Sequence, residues 1–272
     1  METLSPEKIQ EFRRIIYGHY ARHARDLPWR ATVDPYKIIV SEIMLQQTQV
    51  GRVLGKYALF IRTFPTVEAL ARAPLGAILT AWQGLGYNRR ALSLKKLAQE
   101  VVTKHKGKIP LDRHALKIFP GIGEATSGAV CAFAFNQPEV FIETNIRSVF
   151  LKHFFQDKKN ISDAQLIPFI ALTLDKKNPR KWYNALMDYG VFLKENHPNP
   201  SRKSLHYRKQ GSFRGSNRQI RGAILKVMVE KKQIQESKLC AQLHFNSARI
   251  KAMICSLCKE GLIKKQGSIL RI

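Results

Sequence analysis

The chain has 272 residues, 44% of them hydrophobic, with 46 basic against 20 acidic side chains and a net charge of +26. Its length can bury a good core in two or three domains, and its charge exceeds what solubility needs, so the expected partner is a polyanion, nucleic acid first. The sequence has neither an apolar run of membrane-spanning length nor a signal peptide, so the expectation is a monomer with no membrane partner, cytoplasmic and associated with the nucleoid.

The helical period runs through nearly the whole chain. Residues 6–23 form one amphipathic helix, followed by the turn Leu27-Pro-Trp-Arg30. Asp34 can cap the next helix and Pro35 suits its first turn. In that helix Ile38, Ile39, Val40, Ile43, Met44 and Leu45 cover nearly every side, yet Glu42 sits among them. An ionised carboxylate is expensive to bury without a partner, so Glu42 is either paired with a cation from another helix or kept protonated. A protonated Glu at neutral pH is what a general acid requires.

Thr66 and Ala73-Pro74 punctuate two short helices that reach about Trp82. Gly84-Leu85-Gly86-Tyr87 is a glycine-bracketed turn, and the helix after it is read with Arg89, Arg90, Lys95 and Lys96 on its polar side. Residues 113–119 can form a short helix that Pro120-Gly121-Ile122-Gly123 must end, and helical pattern resumes at Glu124. Free backbone N–H groups at such a helix N-terminus suit phosphate oxygens without regard to base.

Val140-Phe-Ile leads into Glu143-Thr-Asn145 and a further amphipathic helix, whose N-terminus favours a negative charge. Helices near 162–174 and 179–195 follow. Residues 196–217 form a basic linker, and 218–272 form a separate small domain of three helices ending in a β-hairpin that turns at Gln266-Gly267. Positions 201–272 hold 17 basic and 3 acidic residues, making this the more basic end. The pattern is similar to a winged helix; DNA is the favoured partner over a dimerisation role. Cys131, Cys240, Cys255 and Cys258 read as free thiols, although Cys255 and Cys258 have metal-like spacing. The fold class is therefore an all-α body over 1–195 with a small C-terminal α/β domain.

Five blocks in order carry a resemblance: Leu27-Pro-Trp-Arg30, Ser41-Glu-Ile-Met-Leu-Gln-Gln-Thr-Gln-Val50, Gly84-Leu-Gly-Tyr87, Pro120-Gly-Ile-Gly123 and Ala185-Leu-Met-Asp-Tyr-Gly190. Together they resemble the helix–hairpin–helix (HhH-GPD) DNA glycosylases, and within them the MutY-type adenine glycosylases of base excision repair. The resemblance implies two helical lobes with an active-site cleft between them, acting on duplex DNA that holds a mispaired or damaged base. It makes Glu42 the acid that protonates the departing purine and Glu143 the carboxylate that stabilises the sugar cation, at a position where the family usually has aspartate. Asn145 and Tyr87 then support the sugar and flipped nucleotide, Arg30 and Trp29 line the base pocket, and Gln46 and Gln47 fill the gap in the stack. Pro120, Gly121, Ile122 and Gly123 would hold the DNA backbone, with room at the hairpin for a monovalent cation and for no other cofactor.

Three further departures from the pattern matter. The position of the lyase lysine is Ala125, so no lyase activity is expected. Residues 191–218 contain no cysteine, so no iron–sulfur cluster is expected. The C-terminal domain does not match the 8-oxoguanine reader, which leaves thymine or uracil opposite guanine, or hypoxanthine, as alternative substrates. A winged-helix regulator without catalysis is the alternative from another class.

Overall fold

The computed structural model describes residues 4–272, in which fourteen α-helices and a single three-stranded sheet were found. The chain folds into two compact units, each assembled from separated segments. The first takes the segment ending at Ile39, together with Pro110–Ile118 and Ile122–Lys209; the second takes Val40–Ile109, Phe119–Gly121 and Gln210–Ile272.

In the first unit, α1 (Pro6–His23) starts at Ser5, whose hydroxyl accepts from Lys8 N, with proline at the head of the helix. Helix α11 (Pro179–Asn196) is the spine of this unit and packs on both α1 and α9 (Thr144–Phe154). Phe12 meets Phe150 at 5.3 Å and Trp182 at 5.9 Å between ring centroids, which joins all three helices in one aromatic core. Helix α10 (Asp163–Thr173) begins with a reciprocal capping box between Ser162 and Gln165.

Part of the stretch read as linker is folded into this unit. Pro200–Lys203 forms a 3₁₀ turn against α9, Ser201 bonds Ser148 at 2.7 Å, and Ser204 bridges Ile161. Pro200, Ser201 and Ser204 are buried because small hydroxyls can be satisfied in a close-packed seam. A serine-rich, basic composition did not signal that.

In the second unit, α3 (Val50–Thr63), α4 (Val67–Arg72), α5 (Leu75–Trp82) and α6 (Arg89–His105) surround a core in which Phe60 and Trp82 meet at 5.8 Å. The C-terminal residues fold as α12 (Asn217–Lys231), β1 (Gln233–Gln235), α13 (Glu236–Gln242), α14 (Ser247–Lys259), β2 (Lys264–Gln266) and β3 (Ile269–Arg271). The sheet order is β1-β3-β2, both pairs antiparallel, with Leu270 opposite Ile234 and Lys265. This is winged-helix topology, and Gly267, at φ +59°, makes the hairpin turn with Ser268, one residue later than the expected Gln266-Gly267. Strand β1 was not expected, since three residues are too short to show alternation. Glu260 binds this module to α6 through Arg89 at 3.2 Å, while it also holds Arg221.

Candidate active site

Helix α2 (Pro35–Leu45) carries the first candidate residues, and its start is as the sequence implies: Asp34 accepts from Tyr36 N at 2.9 Å ahead of Pro35. Ile38, Ile39, Val40, Ser41, Ile43 and Met44 are all buried. Glu42 differs from the sequence expectation of a carboxylate sunk in an apolar run, because it is only half-buried.

Arg90 organises the surroundings of that helix end. The sequence put it on the polar side of α6, but it is 9% exposed. Its Nη1 donates to the carbonyls of Ile43 and Met44 at 2.9 Å each and of Gln46 at 2.5 Å. Its Nη2 donates to Thr48 Oγ1 at 3.0 Å and to the Gly86 carbonyl at 3.2 Å. One guanidinium therefore caps α2 and pins both the 46–48 loop and the Gly84–Tyr87 turn, using the planar fork that lysine lacks. Burial pulls its pKa down to about 10, which still leaves it charged at neutrality.

The two loops that Arg90 pins hold residues in left-handed backbone. Gln47 has φ +53° and Tyr87 φ +48°, conformations that cost a non-glycine residue about 1 kcal/mol or more unless the surroundings enforce them. Gln46 Nε2 donates to the Gly121 carbonyl at 3.1 Å, and Gln47 is exposed. The Tyr87 ring lies under the Arg90 guanidinium at 5.4 Å, and its hydroxyl accepts from Arg218 at 3.1 Å and from Gln210. The segment leading into the winged helix thus holds a candidate site residue, a contact that local sequence patterns gave no sign of.

The hairpin is formed as expected by α7 (Arg113–Ile118), the Phe119–Gly123 loop and α8 (Glu124–Phe135). Gly121 has φ +88°, and a Cβ there would lie 3.0 Å from that of Ser93, so glycine is required on both counts. Pro120 is half-buried, Ile122 is buried, and exposed Gly123 starts α8 without any side-chain cap. The first N–H groups of α8 therefore lack partners within the helix, an arrangement suited to an anion. Glu124 bends back to Lys117 and to Arg113 at 3.2 Å, and Ile118 beside it is 77% exposed.

In the first unit Glu143 is the N-cap of α9. One carboxylate oxygen accepts from Asn145 N and Ile146 N at 2.7 Å each, and the other from Asn145 Nδ2 at 3.1 Å. The Asn145 amide oxygen accepts from Lys194. Arg30, expected in a base pocket, is held by Asp188 through both its Nη atoms, at 2.8 and 2.7 Å. Arg25 completes the cluster, its Nε donating to Asp188 at 2.6 Å. Burial opposes the charge on Asp188, but the hydrogen bonds from Arg30 and Arg25 outweigh it and hold its pKa below the usual value. Trp29 is buried in the preceding turn.

The structure thus gathers Glu42, Gln46, Gln47, Tyr87, Pro120 and Gly121 in the second unit, and Trp29, Arg30, Ile122, Gly123, Glu143 and Asn145 in the first. Residues 40–167, which contain both carboxylates, Tyr87, Asn145 and the hairpin, match the HhH-GPD superfamily of base excision DNA repair proteins. The match spans just under half of the chain.

Its relatives are more particular. Over 181 residues, 65% of this chain, it is 36% identical to the adenine DNA glycosylase of Buchnera aphidicola subsp. Baizongia pistaciae, covering 50% of that protein. Over 131 residues, 48% of this chain, it is 43% identical to the adenine DNA glycosylase of Mycobacterium tuberculosis, covering 43% of that protein. The chain spans about half the length of these curated relatives or less. The structure of a thermostable thymine-DNA glycosylase superposes with a TM-score of 0.65 at 27% identity, over 72% of this chain and 92% of that one.

Proposed function

We propose that the chain is a DNA glycosylase that hydrolyses the N-glycosidic bond of adenine in A·G or A·8-oxoguanine mispairs. The observation that carries this reading is the family match over residues 40–167, since that one segment holds every group the reaction needs. Glycosidic cleavage requires an acid for the leaving group and an anion for the developing sugar cation, the same division of labour as in two-carboxylate glycoside hydrolysis. Glu42 is the proton donor to the base. Glu143, oriented by two backbone N–H groups and by Asn145, supplies the anion. Tyr87 and Asn145 support the flipped nucleotide, whose extrusion costs a few kcal/mol, and Gln46 with the left-handed Gln47 fills the space it leaves. The N-terminus of α8 takes a phosphate of the backbone, and the exposed lysines of the winged module add to the attraction.

Hydrolysis without strand cleavage follows from Ala125, which offers no amine for a Schiff base. An iron–sulfur cluster does not fit, because residues 191–218 provide no cysteine, and no step of the mechanism uses one. Among the described residues no helix is long and apolar enough to cross a membrane. A second reading keeps the mechanism and changes the base to thymine opposite guanine. It is favoured by the similarity to the solved thymine-DNA glycosylase.

Single-turnover cleavage of a duplex panel tests both, with alkali to break abasic sites. The panel carries A opposite G, 8-oxoguanine and C, together with T, U and hypoxanthine mispairs. Cleavage of the A strand, abolished in Glu42→Gln, is the expected result. Cleavage only at T or U establishes the second reading, and tight binding without any abasic product overturns both. Binding itself should fall with a log–log salt slope of about −0.9 per phosphate contacted.

A further inference from the structure

Lys194 reaches from α11 toward the N-terminus of α9, and a glycine makes that approach possible. A Cβ on Gly190, one turn earlier, would lie 2.5 Å from the Asn145 carbonyl oxygen. Only with glycine can α11 pass so close to Glu143 and Asn145. The Lys194 ammonium donates to Asn145 Oδ1, and the same carboxamide donates through Nδ2 to Glu143 Oε2 at 3.1 Å.

This relay has a direction. Lysine can only donate and a carboxylate can only accept, so the carboxamide between them has one favourable orientation. A flipped amide would aim its NH₂ at the ammonium and its oxygen at the carboxylate, replacing two attractions by two repulsions. An amide polarised from both ends also makes stronger hydrogen bonds than either contact alone. The need for such a tether is greater here than with aspartate, because Glu143 carries one more rotatable bond.

We propose that Lys194 is a positioning residue for base excision: through Asn145 it fixes the Glu143 carboxylate and the Asn145 amide in the orientation that the sugar cation meets. This rests on the glycosylase reading above. Lys194 touches neither base nor sugar in this role; it acts through the carboxamide. Burial works against its charge, and the Glu143 carboxylate nearby works in favour of it. A methionine of similar length keeps the packing of the lysine stem and removes only the donor.

The test is single-turnover excision on whichever duplex of the panel the wild-type chain cuts. Lys194→Met, Lys194→Arg, Asn145→Ala and the Lys194→Met/Asn145→Ala double variant are compared, with binding to a non-cleavable 2′-fluoro analogue of the same duplex and a thermal melt for each. Lys194→Met should slow excision about 10- to 100-fold while binding changes by no more than about threefold, the signature of lost orientation rather than lost affinity. Lys194→Arg, which retains a charged donor, should recover most of that rate. In the double variant the lysine change should add less than about twofold to the loss from Asn145→Ala, because both act on one relay. Lys194→Met at the wild-type rate, or losses that simply multiply in the double variant, would overturn the proposal. Lys194→Gln is read by the same criteria should the methionine variant not fold. A wild-type chain that cuts no duplex overturns the glycosylase reading and this proposal together, whereas an active wild type with an unaffected Lys194→Met overturns only the role of Lys194.

Discussion

Two arginines, Arg30 and Arg90, are withdrawn from water in contrasting ways. Arg30 is neutralised by one carboxylate, Asp188, through a two-pronged ion pair in which both side chains are largely buried. Arg90 is surrounded by main-chain carbonyls and the Thr48 hydroxyl, among them the carbonyls at the end of α2. The first arrangement balances charge with charge and locks the Leu27–Arg30 turn to α11. The second balances charge with dipoles, and in doing so fixes two loops that both carry candidate site residues. A cation that only needs neutralising takes a carboxylate. A cation that must define backbone positions is better served by many weak acceptors spread over several segments.

The largest effect should come from breaking the charge balance. Asp188→Asn leaves Arg30 and Arg25 partly buried with no counter-ion and should cost about 3–5 kcal/mol in denaturant unfolding. Replacing the pair together, as Arg30→Met/Asp188→Leu, should recover most of that loss; a double variant as unstable as Asp188→Asn would show that specific geometry matters there as well.

Arg90→Met should cost about 3 kcal/mol, because several carbonyls lose their donor at once. Its distinguishing effect is local: amide exchange at residues 46–48 and 84–88 should quicken well beyond the global change. Uniform quickening across the chain would mean that Arg90 is ordinary packing. Arg90→Lys should fall between, since an ammonium supplies three donors without the planar fork.

A third test uses pH. Burial holds His153 down to about 4 in the folded chain, against an ordinary value of 6.5. Between those values the unfolded chain takes up a proton that the folded chain refuses, so stability should decline by on the order of 3 kcal/mol as pH falls through that window. Asp188, held below its usual range, contributes stability that is lost only at lower pH, as protonation overtakes its folded value. His153→Gln should flatten the upper window and leave the lower one; loss of both would tie them to a single event.

The smallest effect is expected at Tyr87. Gln210→Ala with Arg218→Ala removes two partly exposed hydrogen bonds and should cost less than about 1 kcal/mol. Tyr87 fluorescence or side-chain NMR should nevertheless change. No change there would mean that the Arg90 stack alone holds the ring.

What the sequence conveyed was mostly what neighbours along the chain decide. Asp34-Pro35, Thr66 and the Pro120–Gly123 break set helix ends locally, and all of them were legible. A helix start within the Glu143-Thr-Asn145 cluster was legible too, because capping partners are the next residues, although which of the three caps was settled only by the structure. Arg90 was not, since its burial depends on carbonyls contributed by residues 43–46 and 85–86 that no pattern within α6 announces. Lys194 was passed over for the same reason: its partner Asn145 lies 49 positions earlier in the chain. Ser201 and Ser204 read as linker because a hydroxyl's burial leaves no periodic trace. For Glu42, the apolar run was rightly read as a buried helix, but that run did not reveal which face stays open.

The division of the chain into units also bears on how it is made. Gln210–Ile272 completes the same compact unit as Val40–Ile109, so that unit must wait for about a hundred intervening residues to be synthesised before its last segment can dock. The other unit can close once Lys209 has left the ribosome, with its Phe12–Phe150–Trp182 core already in hand. Until Gln210–Ile272 arrives, the α5 surface that receives α12 stands open to water. During this interval the nascent protein is most exposed to aggregation or to a chaperone, and the unit built on the first helix closes before the one that holds most of the middle of the chain.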